Sequence, residues 1–220
     1  MIINLNDYQF HFNQTVKQYL KKMFIQYDEH KPYLFTQTYS MNHGLYKSSR
    51  NRSIFRTWDK FYLHLCSYLI NNYSRKYHLL PKMIACIDFP YTRNHSHQAY
   101  RDGHLPHIHA IMFLHPDTIE KFELLRESNF RELLVHEQFS DIRDTDVRPI
   151  RETLDDLENV TSYCTKFIRS YSALQDPLIA DECHFQIYPK PQAEMKRYNH
   201  LTTSPFKDVP TARTMKSARP

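Results

Sequence analysis

At 220 residues with 41% of them hydrophobic, the chain is long enough to bury one substantial core. Only two glycines occur, Gly44 and Gly103, which excludes Gly-rich phosphate loops and dinucleotide fingerprints, and with them a nucleotide-driven motor. The net charge of +5 is unevenly placed: residues 190–220 hold seven basic side chains against Glu194 and Asp208, leaving 22 of each sign in residues 1–189.

That distribution implies a domain over 1–189 and a flexible basic tail over 190–220 that could hold a polyanion by counterion release, or simply aid solubility. The four cysteines, Cys66, Cys86, Cys164 and Cys183, form no CxxC pair, and no signal peptide or apolar span of about 18 residues is present. A reduced, cytoplasmic protein without a membrane partner is the expectation.

In chain order, apolar residues at Val16, Tyr19, Leu20, Met23, Phe24 and Tyr27 recur at helical spacing and predict a helix over 13–29, ended by Pro32. Residues 33–40, Tyr-Leu-Phe-Thr-Gln-Thr-Tyr-Ser, are rich in aromatic and β-branched side chains and predict a strand. A basic run through Lys47, Arg50 and Arg52 leads to Arg56 and a helix over 54–73, with Phe55, Trp58, Tyr62, Leu65, Cys66 and Leu69 on one stripe. These cations, with Arg93 and Arg101 further on, are candidates for gripping phosphate. A solvated loop is the plainer reading.

A second strand is expected over 83–89, closed by Pro90, and a polar connection over 91–104 then returns the chain into Leu105-Pro106-His107-Ile108-His109-Ala110-Ile111-Met112-Phe113-Leu114. Alternation on that strand puts His107, His109, Ile111 and Phe113 on one face and Ile108, Ala110, Met112 and Leu114 on the other. A strand apolar on both faces belongs in the centre of a sheet. One buried imidazole commonly donates to a backbone carbonyl and does nothing else. Two on one face of such a strand point to a bound metal ion. With a hairpin turn near His97 and Gln98, Asp88 comes to lie across from His107 or His109, the one carboxylate in an apolar strand and a candidate third ligand.

A helix is expected over 118–127 and a short strand over 147–150. Thr153 and Asp156 then form a capping box for a helix whose stripe reads Leu154, Leu157, Val160, Cys164, Phe167 and Tyr171. Tyr163 falls on the flank of that stripe with Lys166 beside it, so a phenol and an ammonium share the edge of the core.

Phe35-Thr36-Gln37-Thr38, His107-Ile108-His109 and Tyr163-Cys164-Thr165-Lys166 follow one another in an order that resembles the HUH endonucleases, the nicking domains of rolling-circle replication initiators in plasmids, small DNA viruses and some transposons. The resemblance covers residues 33–171. It implies an α+β fold in which helices flank a central antiparallel sheet with a ferredoxin-like or RRM-like core. It further implies that His107, His109 and Asp88 hold Mn2+ or Mg2+, that Tyr163 attacks a single-stranded DNA phosphodiester to form a 5′-phosphotyrosine, and that Lys166 assists. The implied partner is single-stranded DNA at a replication origin, such as a stem-loop, with helicase and polymerase supplied by the host.

The chain departs from the family pattern in two places. The family's acidic ligand usually lies a few residues before the first histidine, whereas an insertion separates Asp88 from His107, so Asp102, His104 and His97 stand as alternatives. Phe167 occupies the place of a second tyrosine. Outside the resemblance, two histidines and an acid also suit a mononuclear zinc hydrolase, and the basic surfaces alone would suit a DNA-binding module without cleavage.

Overall fold

The computed structural model describes residues 5–26, 29–40, 50–88, 106–151, 153–165 and 185–190, with side chains in the first two helices described from Gln14 and Ile54. The chain divides into a unit of Met1–Pro189 and a second of Lys190–Pro220, and all but the first residue of the second lie outside the described residues.

The elements run α1 (Leu5–Gln26), β1 (Lys31–Tyr39), α2 (Arg50–Leu69), β2 (Lys82–Asp88), β3 (His107–Leu114), α3 (Pro116–Glu127), α4 (Arg131–Leu134), β4 (Ile142–Pro149), α5 (Leu154–Cys164) and β5 (Phe185–Tyr188). The strands form one antiparallel sheet in the order β4-β1-β3-β2-β5, so the fold is α+β with helices flanking the sheet. The histidine strand β3 is its central strand, as expected of a segment apolar on both faces.

Alternation along the strands sorts the core into two layers. On one face Phe35 of β1 packs edge-on against Trp58 and Phe61 of α2 and against Phe130, with ring centres 5.3–5.5 Å apart, while Tyr33 lies 4.9 Å from Phe122 of α3. Phe130 adopts φ 58°, a left-handed conformation that a bulky side chain takes only when its packing holds it there. On the other face Ile84, Cys86, Ile111 and Phe113 are covered by Val16, Leu20 and Met23 of α1 and by Leu157 and Cys164 of α5. That second layer carries the histidines. Cys66, Cys86 and Cys164 are buried, and none is bridged to another described cysteine. No helix among the described residues is long and apolar enough to cross a membrane.

Several boundaries differ from the sequence expectation. The first helix begins at Leu5 rather than 13 and ends at Gln26, and α2 starts four residues early and stops at Leu69, because Asn72 turns left-handed at φ 58° and Tyr73 enters a short 3-10 turn. The strand expected over 147–150 is the end of a longer one, β4, whose first half, Ile142-Arg143-Asp144-Thr145-Asp146, is polar because it forms a sheet edge. The other edge, β5, is four residues long and went unread. In α5, Leu154 is exposed at the first turn and Thr161 takes a buried place instead. Thr161 can be buried because its hydroxyl donates to the Leu157 carbonyl at 2.6 Å.

Candidate metal centre

Three strands bring the site together. β2 pairs with β3 so that Asp88 opposes His107 and Cys86 opposes His109, which is the register of a hairpin centred between residues 97 and 98. β1 pairs with the other edge of β3 and sets Thr36 opposite His109. All of these side chains leave the sheet on the face covered by α1 and α5.

Asp88 Oδ2 lies 3.5 Å from His107 Nε2 and 3.5 Å from His109 Nε2, and one ligand atom from each of the three residues falls within 4.8 Å of the others. A charge-assisted hydrogen bond would draw nitrogen and oxygen to about 2.7–2.9 Å. Two ligand atoms each roughly 2.1–2.2 Å from one ion, at angles of 90–110°, stand about 3.0–3.6 Å apart. The observed spacing fits shared coordination better than direct pairing. The imidazole centres of His107 and His109, 5.2 Å apart, also suit two rings on one ion, for which the same geometry gives roughly 4.5–5.5 Å. The donor set, two imidazole nitrogens and one carboxylate oxygen, is of a kind that manganese, iron and zinc accept.

Among the described residues the group is most open at His107: the side chains of Asp88 and His109 are almost sealed, at 4% and 2% exposed, whereas that of His107 is 29% exposed. A cation held between a buried carboxylate and two imidazoles would offset the cost of burying them.

Tyr163 lies against His109. Thr153 caps α5 by accepting from the Asp156 amide at 3.2 Å while its hydroxyl donates to the Asp156 carboxylate at 2.8 Å, which settles where the helix starts. Leu157, Thr161 and Cys164 then face the sheet, and Tyr163 comes out on the flank with its ring centre 4.7 Å from that of His109 and the residue 44% exposed.

The structure therefore brings together Asp88, His107, His109 and Tyr163 from the sequence-derived set. Lys166, Lys47, Arg93, Arg101, Asp102, His104, His97, Phe167 and Tyr171 lie outside the described residues, as do the side chains of Arg50 and Arg52. Arg56 is exposed on α2, the helix that covers the face opposite the histidines.

Two features escaped the sequence reading. Thr36 Oγ1 is 3.1 Å from His109 Nδ1, a contact that alternation permits but that only the register of β1 on β3 creates. β4 sets Asp146 beside Thr36 on the same face, with its carboxylate held by Arg148 Nε at 2.8 Å. Against family models, curated proteins and solved structures alike, the chain has no match.

Proposed function

We propose that this protein is a metal-dependent endonuclease and strand transferase of the HUH kind, which nicks and rejoins single-stranded DNA to start rolling-circle replication. The observation that carries this reading is the placement of Tyr163 against His109, beside a carboxylate and two imidazoles spaced for one ion. His107, His109 and Asp88 would hold Mn2+ or Mg2+, hard ions suited to phosphate oxygen. A bound divalent ion supplies charge neutralisation at the scissile phosphate.

The chain's own residues do the rest. Tyr163 and His107 are the more exposed members of the group, and a strand that approaches them would let the phenolic oxygen attack phosphorus in line with the departing 3′ oxygen. The new bond joins the tyrosine oxygen to the 5′ phosphate, the P–O3′ bond breaks, and the proton lost by the phenol ends on the 3′ hydroxyl. Attack by a 3′ hydroxyl on the phosphotyrosine reverses the step and joins strands. Lys166, three residues after Tyr163, is assigned to steady the tyrosine oxygen or the phosphate. The tail after Lys190 adds non-specific affinity for the strand.

A zinc hydrolase would use the same ligands and would gain nothing from Tyr163, so the contact between Tyr163 and His109 favours the nicking reading. The test is incubation with Mn2+ and single-stranded oligonucleotides tiling the DNA on either side of the gene, followed by denaturing electrophoresis. A cut oligonucleotide with part of it covalently on the protein is the expected result. Hydrolysis without an adduct would point to the zinc enzyme, and binding without a cut to a DNA-binding module.

A further inference from the structure

The partner of His109 on its far side from Asp88 is a hydroxyl, and its position carries a consequence for metal affinity. A neutral imidazole has one N–H. For Nε2 to offer its lone pair to an ion beside Asp88, that hydrogen must sit on Nδ1. A buried Nδ1–H needs an acceptor, and Thr36 Oγ1 is 3.1 Å away. Thr36 and His109 oppose each other across the β1/β3 ladder, in the interior of the sheet where β4 braces the other side of β1. The threonine is β-branched and stiff about χ1, so its oxygen is aimed by the backbone.

We infer that Thr36 is a positioning residue whose hydroxyl accepts from His109 Nδ1, fixing the tautomer and ring angle that present Nε2 to the ion. The inference rests on the metal reading of Asp88, His107 and His109, and stands whether or not the protein nicks DNA. A hydroxyl can also turn and donate, so it tolerates either tautomer before the ion arrives and holds the ligating one afterwards.

Two substitutions separate this role from packing. Thr36→Val keeps the branched shape and removes the oxygen. Thr36→Ser keeps the oxygen and removes the methyl. Calorimetric titration of the full chain with Mn2+ should show Thr36→Val binding about 10–100-fold more weakly than the wild type and Thr36→Ser within a few-fold of it. Thermal unfolding checks that each variant is folded, and Thr36→Ala replaces the valine variant should that one disrupt β1. Wild-type affinity in the variant lacking the hydroxyl, equal weakening in the serine variant, or no Mn2+ binding by the wild type would each overturn the inference. Weakened Mn2+ binding alongside a wild type that cuts no DNA would overturn the nicking proposal and leave this one standing.

Discussion

The ring of Tyr163 lies 4.7 Å from that of His109, tilted by 59°, although the two residues reach the site from a helix and a strand 54 positions apart in the chain. That contact sets the proposed nucleophile against a proposed metal ligand and makes the phenolic oxygen the atom to remove. Tyr163→Phe keeps the ring against His109, so the fold, Mn2+ binding and single-strand binding should survive. Nicking should fall by at least about 10³-fold, with loss of the covalent adduct. Labelling the oligonucleotide at alternate ends shows which fragment stays on the protein, and an adduct carrying the upstream fragment would refute the assignment.

Asp88 Oδ2 lies 3.5 Å from Nε2 of both His107 and His109, which makes Asp88 the third ligand of the proposed metal centre. Asp88→Asn preserves size and removes charge, and should weaken Mn2+ binding by at least about 10-fold, with turnover falling in parallel. Saturating Mn2+ raises the unfolding temperature of any protein that binds it only when folded. The wild type should show that rise and the variant should lose most of it at the same Mn2+ concentration. An equal rise in both would move the third ligand to Asp102, His104 or His97.

His64 is a group remote from the site whose burial makes the fold sensitive to acid. Burial, with His136 and Lys60 adding to it, lowers its pKa from 6.5 to about 4, and its Nε2 lies 2.8 Å from the Gln138 amide nitrogen, a donor that a protonated imidazole could not face. The unfolded chain therefore takes up the proton first. Stability from this group is complete above pH 6.5 and is lost progressively as pH falls toward 4. The unfolding temperature should drop by roughly several degrees between pH 7 and pH 5, and His64→Leu should flatten that dependence. An unchanged slope in the variant would assign the effect to other groups.

Ending the chain at Pro189 removes the basic second unit and leaves the unit that contains the sheet. Affinity for a short single strand should become less salt-dependent, its logarithmic slope falling by roughly 2–4 as phosphate contacts are lost. Nicking at low salt should persist. A truncated chain that folds, binds Mn2+ and cannot nick would place part of the active site in the tail.

Local pattern determined much of this protein before any fold was known. Period-two alternation in β3 was enough to put His107 and His109 on one side of a buried strand, and the hairpin symmetry of two apolar strands was enough to bring Asp88 opposite His107 or His109, between which the pairing of β2 with β3 decides for His107. The capping residues Thr153 and Asp156 and the stripe through Leu157 and Cys164 set the rotation that leaves Tyr163 on a flank. These features depend on residues close in sequence, whose geometry follows from the helix and strand periods alone.

The tertiary structure decided what those periods leave open. Alternation says which face Thr36 occupies, but the pairing of β1 with β3 joins residues 73 apart, and sliding it by two would keep every face and move the hydroxyl away from His109. The polar edge strand β4 and the four-residue β5 exist because neighbouring strands supply hydrogen-bond partners that their own sequences only weakly call for. The contact of Tyr163 with His109 likewise needs α5 laid over β3, an outcome of packing the apolar stripes of α1 and α5 onto one sheet face. Side chains far apart in the chain meet only where burial of the whole core holds them, so the sequence named the candidate groups and the packed sheet brought them within reach of one another.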